Sequence, residues 1–442
     1  MSSTATATAL DPLMGSLREY RDPRGIDLLG RTAEFLRWQD LRRSNGYWPY
    51  SRSTEAAPLA ICAAKDDSGR PVRGVNFASQ DYLSLASHPE IKRAATEAIA
   101  EYGVHSAGSA AFLGNTKYSI ALEQKIGEFL RMEHVVLFPT GWAAGYGVIK
   151  GLVRPTDHIV MDGLAHACLQ DGAAAATSNV YLHRHLDATS ARRWLSRIRA
   201  RDTENAILVV TEGLFSMDSD TPDLATFQAL CHEYQATLMV DVAHDLGCIG
   251  DDGRGHIGLQ KMLGSIDLVM GSFSKTFASN GGFVACKSRA VKEYLRYFST
   301  SGTFSNALSP IQAAIVLKAF QIVDSDEGRS LRCCLIENAT DLRRRLNEAE
   351  MEVYGQPSAI VAVKMGTERL ARRVSRLLPE LGLVANLVEF PAVAKGAARF
   401  RLQVMAKHSQ ENIADAVALL SLALRDARLE NDARTALQVS AA

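Results

Sequence analysis

A chain of 442 residues is long enough for two or three domains with a large core, and 47% hydrophobic content is ordinary for a globular protein. Its 49 lysines and arginines balance 49 aspartates and glutamates, which removes any global field toward nucleic acid or an acidic membrane and favours small-molecule chemistry. Seven cysteines form an odd set without a Cys-x-x-Cys pair, so they read as thiols of a reducing compartment, neither a disulfide frame nor a zinc site. No apolar run reaches membrane-spanning length, and the first residues lack the basic start and apolar core of a signal peptide; a cytoplasmic location is expected.

Met1 to Ala9 are Ser/Thr/Ala repeats without apolar periodicity and predict a mobile tail. From Ile26 to Arg43 the spacing of Leu28, Leu29, Ala33, Phe35 and Leu36 predicts one face of an amphipathic helix, with Trp38 and Leu41 outside that stripe. Tyr47-Trp48-Pro49-Tyr50 then breaks the helix; these aromatics either pack internally or cover a site or a neighbouring subunit. Val75 to Ser79 reads as a strand. A helix follows, with Ser87 and Glu90 at capping-box spacing and Ile91, Ala94, Ala95, Ala98, Ile99 and Tyr102 on one face. A stretch of small residues from His105 to Gly114 leads to a second helix, about Tyr118 to Leu130, and to the strand Val135–Phe138.

That strand runs into Pro139-Thr140-Gly141-Trp142-Ala143-Ala144-Gly145, and a helix follows. Strand, glycine-bearing turn and helix N-terminus make an anion site, although an ordinary βα turn has the same pattern. Further apolar strands end on polar residues: Asp162 with His166, Glu212 with Ser216, Asp241 with His244, and Ser272 with Lys275. Such alternation predicts a parallel α/β sheet covered on both faces, with ligands beyond the carboxyl ends of its strands. After Ser309-Pro310, long helices, the strands Ala359–Val363 and Ala398–Val404, and a closing helix from Gln410 to about Leu429 predict a smaller α+β domain. The last dozen residues are expected to fray. The expected partition is an N-terminal tail and helical arm over residues 1–70, a large domain over 71–311 and a small domain over 312–442.

Lys275 lies among small and hydroxyl residues, Gly271-Ser272-Phe273-Ser274-Lys275-Thr276, just after an apolar strand. A desolvated lysine there can form a Schiff base with an aldehyde. An aspartate at a strand end can pair with a pyridinium N–H and keep the ring an electron sink, and a histidine can stack on the ring. Singly, Asp241 reads as a cap and His166 as a loop histidine. At successive strand ends ahead of the lysine, they supply what a pyridine-aldehyde phosphate needs.

The motifs Asn76-Phe77 with Asp81-Tyr82-Leu83, Phe215-Ser216-Met217-Asp218, Asp241-Val242-Ala243-His244, Ser274-Lys275-Thr276-Phe277 with Gly281-Gly282, and Ala398-Arg399-Phe400-Arg401 with Ala406-Lys407-His408 share one pattern. Between about Asn76 and His408 the chain resembles the α-oxoamine synthase family of fold-type I, pyridoxal-phosphate-dependent transferases. Its members include 8-amino-7-oxononanoate synthase, 2-amino-3-ketobutyrate CoA ligase, 5-aminolevulinate synthase and serine palmitoyltransferase. The resemblance implies a large, mainly parallel seven-stranded sheet domain and a smaller α+β domain. It implies that Lys275 carries pyridoxal 5'-phosphate and moves the substrate α-proton, that Asp241 pairs with the pyridine nitrogen and that His166 stacks on the ring. His244 and Ser216 would lie near the phenolic oxygen. Thr140, Gly141, Trp142 and Ser272 would hold the phosphate, Ser305 would reach it from the other subunit of a homodimer, and Arg401 with Gln80 would hold the substrate carboxylate.

The chain departs from the family at Gln80, where asparagine is usual, and at Val242, Asp245, Ala110 and Ser119, where glutamate, serine, arginine and histidine are common. Gln80, His105 and Ala110 fall near the expected substrate pocket. The implied reaction condenses a small amino acid with an acyl thioester, of coenzyme A or of an acyl carrier protein, with loss of CO2 and thiol. His166 is placed to hydrogen-bond the developing carbonyl oxygen. Alternatives are another fold-type I reaction, such as transamination or aldol cleavage, a catalytically silent partner subunit, and a non-enzymatic nucleotide-binding module.

Overall fold

A computed structural model describes the backbone of residues 11–440 and the side chains of residues 11–430; the expected tail at Met1 to Ala9 lies outside the described residues. Helix α1 (Ala33–Ser44) precedes strands β1 (Ser53–Thr54), β2 (Ile61–Lys65) and β3 (Pro71–Phe77), and helices α2 (Pro89–Tyr102) and α3 (Lys117–Leu130) follow. Strands and helices then alternate: β4 (His134–Phe138), α4 (Gly141–Leu152), β5 (His158–Asp162), α5 (Ala167–Ala176), β6 (Val180–His183), α6 (Ala188–Arg199) and β7 (Ile207–Glu212). The alternation continues through α7 (Leu224–Glu233), β8 (Thr237–Asp241), α8 (Gly255–Leu259), β9 (Leu268–Ser272) and β10 (Gly282–Cys286). Helices α9 (Arg289–Phe298), α10 (Thr300–Thr303), α11 (Pro310–Val323) and α12 (Asp326–Glu348) lead to β11 (Val353–Tyr354), β12 (Ile360–Gly366), α13 (Glu368–Leu381), β13 (Leu383–Val388), β14 (Ala398–Gln403) and α14 (Gln410–Ser440). Helix α14 thus runs past its expected end near Leu429.

The first sheet has seven strands in the order β4-β10-β9-β8-β7-β5-β6. Strand β10 is antiparallel to both neighbours, while β9, β8, β7, β5 and β6 pair in parallel. Because successive side chains point to opposite faces, Ile159 and Met161 pack with Val148, Ile149 and Leu169 of α4 and α5, while Val160 and Val209 pack with Leu195 and Phe227 of α6 and α7. Both faces are covered, which is why these strands read as unbroken apolar runs. Their carboxyl ends share one edge.

The second sheet, also seven-stranded, has the order β1-β2-β3-β13-β14-β12-β11. Strand β3 pairs in parallel with β13. Residues 53–77 therefore join the C-terminal strands by backbone pairing, and the expected partition at residue 71 cuts across this sheet.

Two local expectations need correction. Helix α2 is capped by His88, whose Nδ1 accepts from the Glu90 N–H, not by Ser87; Pro89 has no N–H and takes the first helical position, which leaves the preceding residue as the cap. Helix α1 forms, but Leu28, Leu29 and Leu36 are exposed while Trp38 and Arg42 are buried.

The reason is ionic. Arg42 Nη1 lies 3.3 Å from Glu389 Oε1, and Arg372 Nε lies 2.7 Å from Glu389 Oε2. The Arg42 guanidinium sits 5.0 Å from the Trp38 ring centroid and 5.7 Å from that of Trp48, so the aromatics of the arm pack on the small domain. Arg372 also donates to the Leu13 and Gly15 carbonyls at 2.6 and 2.7 Å. A single carboxylate thus anchors two buried cations. Glu389→Gln leaves both without their counter-charge and is expected to cost about 3 kcal/mol or more; urea denaturation measures it, and a loss below about 1 kcal/mol would contradict this account.

Among the described residues, no helix is long and apolar enough to cross a membrane.

Candidate active site

At the carboxyl edge of the first sheet lies a cavity of about 250 Å³, bordered by the ends of β7, β8 and β9, the start of α4 and the loops after β5 and β9. Thr140 caps α4, its Oγ1 accepting from the Ala143 N–H at 3.0 Å. The N–H groups of the following first turn have no partner within the helix and face the cavity edge with the positive end of the helix dipole. A Cβ on Gly141 would lie 2.4 Å from both Cβ and Oγ of Ser272, so only glycine lets α4 approach β9 this closely. The Ser272 hydroxyl is 2.8 Å from that of Ser274. Trp142 stacks on Tyr146 at 5.0 Å.

Lys275 borders the same cavity. Burial holds its amine below the ordinary lysine range, against the opposing charge of Asp241. Asp241 ends β8 with Oδ1 accepting from the Ala243 N–H at 2.9 Å, and burial pushes its carboxyl up to about 6. Glu212 ends β7 beside it; burial, then the charge of Asp241, keep Glu212 well above the usual carboxylate range. Its Oε1 accepts from the His166 backbone N–H at 2.6 Å.

His166 caps α5. Burial, then the positive charges of Lys275 and Arg401, favour its neutral ring. His244 is buried, and its Nδ1 lies 2.9 Å from the Tyr82 hydroxyl. Burial and the charge of Lys275 hold it well below the ordinary histidine range.

Thr140, Gly141, Trp142, His166, Asp241, His244, Ser272 and Lys275 therefore line one cavity. Ser216, Ser305, Gln80 and Arg401 do not border this cavity. Ser216 is buried in the loop after β7, and Ser305 follows α10 in a segment hydrogen-bonded to the stretch of small residues, with Ala307 N–H donating to Gly108 O at 2.8 Å. Arg401 projects from β14 of the second sheet; its charge acts on Lys275, His166 and His244, its Nη1 is 3.9 Å from Met217 Sδ, and its Nε is buried without a partner. Asp245, at a position of departure from the family pattern, is fully buried and accepts from His256 N–H at 2.8 Å and Nδ1 at 3.0 Å.

Sequence reasoning assigned no role to Glu212, Tyr82 or Cys168. Glu212 was visible as a polar strand end, and Tyr82 belonged to a recognised motif.

The loop carrying Ser216 is braced from behind. His185 Nδ1 is 3.0 Å from Asp162 Oδ1, its Nε2 is 3.1 Å from Asp220 Oδ2, and its ring meets the Phe215 ring edge-on at 4.5 Å. Burial alone would lower the imidazole, but the two carboxylates prevail and push it up to about 10. Its contribution to stability is therefore complete below the ordinary histidine value of 6.5 and is lost as pH rises toward 10. His185→Asn is expected to lower Tm most on the acidic side of that window, and the gap from the parent should narrow with rising pH; thermal melts in which the gap widened would contradict this.

Residues 72–420 match the aminotransferase class I and II family. The chain belongs to that family. Within the aminotransferase class I and II family it groups with the α-oxoamine synthases. The 8-amino-7-oxononanoate synthase of Trichlorobacter lovleyi is 36% identical over 345 residues, spanning 78% of this chain and 87% of that protein. The serine palmitoyltransferase of Sphingobacterium spiritivorum is 32% identical over 395 residues, spanning 88% and 95%. Among solved structures, the Sphingomonas wittichii serine palmitoyltransferase superposes with a TM-score of 0.84 at 26% identity, covering 91% of this chain and 99% of that one. A structure of SPT with a PLP internal aldimine has the same TM-score at 25% identity, with coverages of 91% and 99%.

Proposed function

We propose that this α-oxoamine synthase uses pyridoxal 5'-phosphate to condense a small amino acid with an acyl thioester, releasing CO2 and free thiol and leaving an α-amino ketone. The observation that carries the reading is the convergence of Lys275, Asp241, His166 and the α4 N-terminus on one cavity. The wall fits the cofactor: the glycine cradle at Gly141, the first-turn N–H groups of α4 and the Ser272 hydroxyl suit a phosphate, and the buried Asp241 carboxyl suits a ring N–H. Thr140, Gly141, Trp142 and Ser272 would hold the phosphate, Asp241 the ring nitrogen, His166 the ring face, and Lys275 the aldehyde carbon. Bound pyridoxal phosphate supplies an electron sink for the pair left on the substrate α-carbon.

The chain's own residues do the rest. Arg401 presents a half-buried guanidinium whose Nε has no partner, suited to a carboxylate, and Gln80 lies on the segment after β3. Lys275, kept below the usual lysine range, takes the α-proton as a general base. A bond then forms between the α-carbon and the acyl carbon, the carbon–sulfur bond breaks, and the thiolate leaves with a proton. His166 donates to the ketone oxygen, where negative charge develops as the carboxylate departs as CO2, and Lys275 returns a proton to the α-carbon. His244, hydrogen-bonded to Tyr82, would lie near the phenolic oxygen, with Ser216 in the loop beyond the cavity wall.

Phe112, Leu113 and Phe304 are 85%, 90% and 85% exposed, an apolar surface suited to a second copy of the chain whose Ser305 would reach the phosphate. Light scattering should then give twice 48.0 kDa. The thiol component is coenzyme A or an acyl carrier protein.

An absorption spectrum of the purified protein tests the reading. A near-visible band that borohydride removes and that glycine, alanine or serine shifts, with thiol release from an acyl thioester, supports it. No band after adding pyridoxal phosphate would overturn it.

A further inference from the structure

His166 has two ring nitrogens, and the chemistry above requires one of them to point an N–H into the cavity. We propose that the Cys168 thiol is a positioning residue that sets this tautomer, holding Nδ1 as an acceptor so that His166 presents Nε2–H. The Cys168 backbone N–H lies 3.3 Å from His166 Nδ1, and Cys168 Sγ lies 3.1 Å from the same atom. A backbone N–H can only donate, so this contact favours a lone pair at Nδ1, but at 3.3 Å it is long, and it is the nearer thiol, able to donate in its neutral form, that makes the choice firm. Burial, first among several causes, pushes the Cys168 thiol up, which keeps it an S–H donor.

The thiol has little freedom to do otherwise. Cys168 is 2% exposed, and a Cβ on Gly145 of α4 would lie 2.5 Å from its sulfur, so α4 presses the side chain against the ring. The His166 main chain is fixed independently by Glu212. Ring orientation is thus left to the contacts at Nδ1, and Nε2 has no partner among the described residues. The charges bearing on this ring are Lys275 and Arg401, which disfavour its cation, and Asp171 on its own helix, which favours it. Asp241 and Glu212 act on the thiol from the neighbouring strands, and His244 stands across the cavity.

The inference rests on the proposed reaction only for its consequence, since the tautomer is read without substrates. In the purified, cofactor-loaded protein with nitrogen-15 histidine, two-bond proton–nitrogen correlation spectra separate the two ring nitrogens; the His166 signals among eleven histidines are those missing in His166→Asn. The parent should give a pyridine-like Nδ1 and a protonated Nε2. Cys168→Ala should bring in the second tautomer and lower kcat about fivefold with KM for the amino acid nearly unchanged, the scale of one lost hydrogen bond. Cys168→Ser, which restores a donor, should return both readings toward the parent. A protonated Nδ1 in the parent, or unchanged His166 signals in Cys168→Ala, would overturn the proposal. A tautomer shift in a protein that releases no thiol would leave it standing and remove the reaction instead.

Discussion

Lys275→Ala is expected to lower turnover by roughly 10⁴-fold or more, because in the proposed reaction the same amine would both bind the cofactor aldehyde and take the α-proton. The fold should survive. Burial already disfavours the Lys275 cation, so removing it relieves a desolvation cost and Tm should not fall. Thiol release with amino acid and acyl thioester measures the rate, and added methylamine should restore part of it by standing in for the missing base. Turnover at the parental rate would remove Lys275 from the chemistry.

Asp241→Asn is the second large effect. An amide cannot balance a protonated ring nitrogen, so kcat should fall on the order of 10³-fold with the cofactor still bound. The same change should act oppositely on stability. In the folded protein without cofactor the Asp241 carboxyl titrates at about 6 against an ordinary 3.8, so its ionisation destabilises the fold as pH rises between those values and remains costly above them. Without cofactor, Asp241→Asn should therefore melt higher than the parent above pH 6. Melts in which the variant is less stable at neutral pH would show that the carboxylate is already satisfied by another group.

The strand ends that build the cavity were legible because a parallel sheet covered on both faces leaves its polar residues at the carboxyl tips. Asp162, Glu212, Asp241 and Ser272 mark those tips. Strand β10 was not legible: only its opening Gly282 was singled out, with the lysine motif, and its antiparallel insertion between β4 and β9 is a tertiary fact. Periodicity placed the wrong face of α1 inward. It counts leucines, whereas Arg42 is buried by a carboxylate 347 residues away. Glu212 eluded a role for the same reason, since its partner is a backbone N–H 46 residues back. Pattern finds what a residue is, and long-range partners decide what it does.

The pairing of β3 with β13 carries a consequence for how the chain is made. Asn386 Nδ2 hydrogen-bonds the Ala78 carbonyl 308 residues away, and the sheet that holds Arg401 contains strands from both ends of this contact. On the ribosome β1, β2 and β3 emerge early and can pair with one another, but the edge of β3 that takes β13 stays open while the entire lysine-bearing sheet is synthesised. The strands that carry Asp241 and lead to Lys275 are thus synthesised before Arg401 has a sheet to stand on. A chain cut short after β10 would leave that edge of β3 without its partner and the core without its C-terminal half.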